Sequence, residues 1–425
     1  MTPAMGYTEM KDSGIEWVGE IPKEWKVTRM KTILQNVSEK NHPDSTVLSL
    51  YRDLGVVPKN SRDDNHNVTS EDTSNYKFVR CGDLVINKMK AWQGSLAVSE
   101  FEGIVSPAYY VCKFISNSTD KKYLHYLLRC RPYAQEFERL STGMRVGQWD
   151  LGIDDFLRVS VICPSLSEQS AIAAYLDTQC VKIDEIIAEA KASIEDYKQW
   201  KASIIYEAVT KGLDPNAEMK DSGISSFGKI PAHWEIYRFQ ILCKLRSEDN
   251  SGGRELLSVY LDRGVIKYSD SSGMQVHKPS DSLEKYQNVY VNDFVMNNQQ
   301  AWRGSVGVSK YNGIVSPAYH VYELSEDCFP QYMSYLLRDS SMVQQYELAS
   351  RGVGTIQRNI YEPWLRKSYI ALPTLAEQAA IAAYLDAKCA KIDMLVKEKQ
   401  GFIIDLEAYK KSLIYEVVTG KRRVC

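Results

Sequence analysis

The sequence predicts an α+β protein of two tandem globules, each closed by one long helix, with the two helices lying against each other. Three observations predict it. Glu9 to Ile15 recurs letter for letter as Glu218 to Ile224, 209 positions later. Each copy then runs through about 140 residues of mixed strand and helix pattern. Each copy ends in an apolar heptad seam.

The repeat holds in order along the chain. Ile21, Pro22 and Trp25 return as Ile230, Pro231 and Trp234. Ser49 to Val56 aligns with Ser258 to Val265, Gly103 to Tyr109 with Gly313 to Tyr319, and Ala171 to Asp177 with Ala380 to Asp386. Blocks in fixed order at one spacing, the Gly103 block alone being one residue out of step, mean a duplicated unit of about 200 residues. The expected divisions are 1–166 and 213–375 for the globules with their opening segments, and 167–212 and 376–425 for the helices.

Within the first copy, Gly14 to Trp25 is punctuated by Gly and Pro and reads as irregular. Asp83–Ile86, Ser95–Val98 and Val159–Ile162 read as short strands. Lys121 to Arg139 has helical spacing through Tyr123, Leu127 and Phe137, with Lys121, Lys122, Arg129, Arg131 and Arg139 as candidate phosphate contacts or, more plainly, a solvated face. Pro164 marks a stop, Ser167 is the expected N-cap and Glu168 an acidic first-turn residue. From there to about Lys211 neither Pro nor Gly occurs. The seam runs through Ile172, Leu176, Cys180, Ile183, Ile187, Ala190, Ile194, Tyr197, Ile204 and Ala208. Its copy runs through Ile381, Leu385, Cys389, Ile392, Val396, Ile403, Leu406, Leu413 and Val417. About 43 residues at ~1.5 Å each make a rod on the order of 65 Å long. Alone, one seam exposes a greasy stripe, so the two must cover each other. Both break at matching positions, Lys201 and Lys410, which are expected to snorkel outward or to meet an acidic partner surface.

Composition excludes more than it names. In 425 residues, 44% hydrophobic and 25% charged, disorder and fibrous classes are out. No 18-residue apolar run exists, so no membrane helix is expected. Met1-Thr2-Pro3-Ala4 lacks the order of a secretory signal, and nine cysteines without a Cys-x-x-Cys pair point to a reducing cytoplasm. The net charge of −2 argues against a chain that grips nucleic acid unaided by bulk electrostatics. Gly223 to Lys229 approaches a phosphate-binding loop, but Ile230 stands where Ser or Thr is needed, and the first copy has Glu20 in place of the Lys. No dinucleotide fingerprint, methyltransferase tetrapeptide, nuclease spacing, paired-His metal motif or nucleophile elbow occurs. Catalysis by this chain is not expected, and neither is a bound metal.

Two loops in each copy have the composition of a base-reading surface. Asn87 to Ser95 carries Lys88, Lys90, Trp92 and Gln93; its copy carries Asn297, Asn298, Gln299, Gln300, Trp302 and Arg303. Thr142 to Trp149 offers Arg145 and Gln148, and its copy offers Arg351, Gln357 and Arg358. Arg, Lys, Asn and Gln are the side chains that make bidentate contacts to base edges in the major groove. Trp92 and Trp302 read as core rather than contact, and a solvated hairpin is the plain structural alternative for each loop.

Glu168-Gln169-x-x-Ile172-Ala173-x-Tyr175-Leu176-Asp177 followed by Lys182-Ile183-Asp184 resembles the conserved helical region of type I restriction–modification specificity subunits. So does its copy, from Pro373 through Glu377-Gln378 and Asp386 to Lys391-Ile392-Asp393. Met10 to Ile15, Ile21, Pro22, Trp25 and their copies resemble that family's domain openings. The resemblance implies target recognition domains, an antiparallel coiled-coil spacer with pseudo-twofold symmetry, and an asymmetric double-stranded DNA target in two parts. It also implies two methyltransferase subunits and restriction subunits as partners, with S-adenosylmethionine, ATP and Mg on those partners and no active site here. A DNA-free scaffold and a stand-alone modifying enzyme are the competing readings; the second needs a cofactor motif that this chain lacks.

Overall fold

The computed structural model describes residues 7–52, 54–61, 72–143, 149–250, 252–271, 279–280, 282–353 and 357–424. They form two compact units: Met1–Ala190 with Gly401–Cys425, and Lys191–Gln400. The divisions expected at 166 and 212 therefore do not delimit the compact units. Each long helix begins in one unit and ends in the other.

The first unit opens on a two-stranded hairpin, Met10–Asp12 against Glu20–Pro22, in a segment expected to be irregular. Gly14 and Gly19, both left-handed, shape the loop between these strands. Three-residue strands carry too little alternation to be read from sequence. The main sheet is antiparallel, in the order Leu34–Val37, Tyr109–Phe114, Leu84–Asn87, Leu96–Val98. Leu84, Val85 and Ile86 are all fully buried, so this central strand is covered on both faces and reads as a continuous apolar run.

Helices α1 (Lys121–Arg129) and α2 (Arg131–Leu140) replace the single helix expected over 121–139. Asp120 caps α1 by accepting the N–H groups of Lys122 and Tyr123. Pro132 has no N–H to continue that helix and its ring would clash with the turn before it, so Cys130 turns extended and α2 starts afresh. After α3 (Ile153–Arg158), strand Ser160–Cys163 pairs with Lys26–Arg29 and leads into α4 (Leu166–Lys211). The cap of α4 is Ser165, whose Oγ accepts from Glu168 N at 3.3 Å, and not Ser167, which lies inside the first turn.

The second unit repeats this plan, with a sheet in the order Cys243–Arg246, Tyr319–Leu324, Phe294–Asn297, Val306–Val308. Its helices are α5 (Phe239–Leu242), α6 (Pro330–Leu336), α7 (Ser340–Leu348), α8 (Glu362–Leu365) and the long α9 (Leu375–Val418). Its core gathers Trp234, Phe294, Tyr322, Tyr332 and Tyr346 together with Ala208 and Val209 from the end of α4.

The heptad seam is buried as its spacing requires. On α4, Ile172, Leu176, Ile183, Ile187 and Ile194 are buried and Ile204 half-buried; on α9, Ile381, Leu385, Ile392, Ile403 and Leu413 are buried, with Val396 and Leu406 half-buried. At ~1.5–3 kcal/mol for each fully buried Ile or Leu, this burial dominates the pairing.

Within each unit the two helices run antiparallel. In the first, Tyr123 Oη donates to Val418 O at 3.2 Å, and left-handed Gly420, just past the end of α9, packs on Pro22 and Trp25 beside the start of α4. In the second, Tyr332 Oη donates to Val209 O at 3.4 Å, and left-handed Gly212 packs on Pro231, Trp234 and Glu377. Lys410 Nζ lies 2.7 Å from both carboxylate oxygens of Asp184, and Lys201 Nζ 2.7 Å from both of Asp393. The two lysines that break the seam thus neither snorkel free nor await a partner subunit; each is met by the acid of the facing helix.

Candidate nucleic-acid interface

In both units the two loops singled out by composition come together. In the first, Lys88 Nζ donates to Asp150 Oδ2 at 2.6 Å, Leu151 N donates to Lys88 O at 3.0 Å, and the rings of Trp92 and Trp149 lie 5.2 Å apart. The hydrogen bond to Asp150 raises the Lys88 pKa and keeps the ammonium charged. Asp150 Oδ1 is buried without a partner among the described residues, where Lys88 is the cation that meets this carboxylate. Lys88 is therefore a positioning residue. Lys90 and Gln93 are exposed on the same loop; Arg145 and Gln148 lie outside the described residues.

The second unit joins its loops by different chemistry. Asn298 Oδ1 accepts Ile360 N at 2.9 Å, and Asn297 Oδ1 accepts Gln299 N at 3.1 Å, so both amides shape the turn. Arg358 lies over the Trp302 ring at 5.0 Å and bonds Glu347 at 3.1 Å, while Arg303 covers the same ring at 4.5 Å. Gln299 and Arg303 are exposed and Gln300 half-buried. Gln357 begins the second strand of a hairpin, Ser350–Val353 against Gln357–Ile360, in which Arg351 stands opposite Asn359. Arg351 is exposed, with its guanidinium 3.5 Å from the Tyr361 ring centre and 4.3 Å from that of Trp364.

Trp92 and Trp302 are half-buried, and each donates its indole N–H to a carbonyl of its own loop, Met89 and Gln299 respectively. The core positions of these loops are instead Ala91 and Ala301, both fully buried. Sequence reasoning missed Asp150, Tyr361 and Trp364. The available signal was position, since all three fall just beyond the loop ends. Among the described residues no cluster of His, Cys, Asp and Glu is placed to hold a metal, and no helix is long and apolar enough to cross a membrane.

Residues 22–196 match the family model for the type I restriction modification DNA specificity domain. The type I restriction enzyme MjaVIII specificity subunit of Methanocaldococcus jannaschii is 25% identical over 95% of this chain and 94% of its own length. The putative MjaX specificity subunit of the same organism is 23% identical over 96% of both chains. The chain is thus similar, over nearly its whole length, to specificity subunits of type I restriction enzymes. Solved structures agree on the fold. A chain from a study of complex assembly in a type I system superposes with a TM-score of 0.67 at 14% identity, covering 94% of this chain and 98% of that one. The HsdS subunit from Thermoanaerobacter tengcongensis gives 0.51 at 14% identity over the same shares.

The Glu-Gln pair that opens each long helix acts as a clasp. Glu168 accepts the indole N–H of Trp25 at 3.1 Å and the Tyr7 hydroxyl at 2.5 Å; Glu377 accepts Trp234 at 3.0 Å and bonds His233 at 2.8 Å. Gln169, fully buried, accepts Asp120 N and donates to Ser118 O and Pro164 O. Gln378 does the same for Phe329 N, Asp327 O and Pro373 O. One amide side chain thus satisfies three backbone groups where globule meets helix. Gln169→Ala orphans them at about 1–3 kcal/mol each, so a clear fall in the thermal unfolding midpoint is expected. Gln169→Glu sets a carboxylate oxygen against the Ser118 and Pro164 carbonyls in a buried site and should be no more stable than Gln169→Ala; equal midpoints for all three proteins would show that the clasp carries no stability.

Proposed function

We propose that this chain is the specificity subunit of a type I restriction–modification system, that it catalyses nothing itself, and that each unit reads one half of an asymmetric two-part target in duplex DNA. The spacer helices set the length of the unread gap and dock two methyltransferase subunits. Those partners bind S-adenosylmethionine and flip and methylate the base, and restriction subunits bring ATP and Mg. The observation that carries this reading is the joining of equivalent loops in both units by unlike side chains. Lys88–Asp150 and Trp92–Trp149 stand in one unit, Arg358–Trp302 and Arg351–Tyr361 in the other. A shared scaffold with different chemistry at one place is what two different half-sites require. Near-neutral charge fits a reader whose partners supply much of the phosphate grip.

The test is to express the chain with its methyltransferase subunits and map adenine methylation across a genome. One asymmetric motif in two parts, separated by a fixed number of unread base pairs, is expected. The purified chain alone with S-adenosylmethionine should transfer no methyl groups. Assembly with the methyltransferase but methylation without sequence preference would favour a plain scaffold.

A further inference from the structure

Arg351 differs from Lys88 and Arg358, the two cations of the paired loops that are met by acids. Lys88 is neutralised by Asp150 and Arg358 by Glu347. Arg351 is exposed on the hairpin with its guanidinium carbon close to two ring centres, Tyr361 at 3.5 Å and Trp364 at 4.3 Å, and these rings pack edge to face at 5.3 Å. Among the described residues no side-chain hydrogen-bond acceptor or acidic partner engages its guanidinium. A guanidinium placed in this way keeps its in-plane donors free while losing little rotamer freedom on binding. That combination suits a planar ligand edge presenting two acceptors side by side.

In duplex DNA the base edge with two adjacent acceptors is the major-groove edge of guanine, its O6 and N7, and Arg is the commonest side chain to read it. The equivalent position in the first unit is Thr142, paired opposite Asp150 as Arg351 is opposite Asn359, and it has no such fork. We propose that Arg351 is a specificity-determining residue that reads a guanine in the half-site of the second unit, with Tyr361 and Trp364 as positioning residues. The inference rests on the proposed division of the target between units and adds the identity of one base.

The test uses the full chain assembled with its methyltransferase subunits, on duplexes that vary each position of the mapped target. The wild-type complex should prefer guanine over adenine at one position of the second half-site by about 5- to 150-fold. Arg351→Gln and Arg351→Lys should both bring that ratio close to one and leave the first half-site unchanged, because Lys keeps the charge but not the planar fork. Trp364→Leu should reduce the ratio in part. If Arg351→Lys keeps full discrimination while Arg351→Gln slows methylation of all duplexes alike and flattens the salt dependence, the ligand is a phosphate and the guanine assignment is overturned. An unchanged preference in all variants overturns it too. If instead the wild-type complex shows no two-part target, the proposed function itself is lost.

Discussion

A heptad inserted after Ala190 in α4 and another after Ile403 in α9 should lengthen the unread gap by about three base pairs and leave both half-site sequences as they were. Seven helical residues add about 10 Å, and base pairs stack at roughly 3.4 Å. Both insertion points lie between the bonded lysine–aspartate levels on their helix: Ala190 between Asp184 and Lys201, Ile403 between Asp393 and Lys410. Each ion pair therefore stays within its own unit. A whole heptad keeps the seam in phase, whereas an insertion in one helix alone leaves seven residues unmatched and slides buried Ile and Leu past their partners. Three base pairs also rotate the second half-site by roughly 100° at 10–10.5 base pairs per turn, while the helix pair turns little. Methylation should accordingly be slower as well as shifted. Methylation mapping reads both effects. A gap of unchanged length, or changed letters in either half-site, would sink the idea that the spacer is the ruler.

The spacer was the most legible part of the sequence because its signal is both local and repeated. Each seam residue is fixed by 3.5-residue spacing, and the second copy confirms the first. The opening hairpin was hidden because three-residue strands offer no period to detect. The break at Cys130 was missed although Pro132 announces it, since the apolar spacing of Tyr123, Leu127 and Phe137 continues across the break. At the candidate interface some of the polar side chains, Lys88 and Asn298 among them, are tied to other parts of their own unit. Which of several polar residues is turned inward depends on neighbours distant in sequence: Asp150 for Lys88, 62 positions away, and Ile360 for Asn298, likewise 62. Composition treats all such residues alike. The same limit explains Lys201 and Lys410. Each looks like a flaw in its own seam until the facing helix supplies the carboxylate 192 or 226 residues away. The compact units, too, exchange helix ends, and only the fold reveals which globule covers which end.

Replacing both first-unit loops with their second-unit counterparts should convert the first half-site into the sequence of the second. The exchange must be made in pairs. Substituting 297–305 for 87–95 alone removes Lys88 and leaves the Asp150 carboxylate, one oxygen already buried and unpartnered among the described residues, without its cation. An uncompensated, partly buried charge distorts the loop, so that single exchange should lose methylation instead of redirecting it. The second segment must run from 351 to 364, in place of 142–155, because Arg351 needs Tyr361 and Trp364 beneath it and Arg358 needs Trp302. Each base position usually contributes about 1–3 kcal/mol of discrimination, so a half-site of several positions should shift preference on the order of a thousandfold. Methylation mapping of the doubly exchanged protein should then return a target with the same half-site sequence in both parts and the original gap. If the double exchange assembles with its partners and still methylates the original asymmetric target, these loops are scaffold and the bases are read elsewhere on the units.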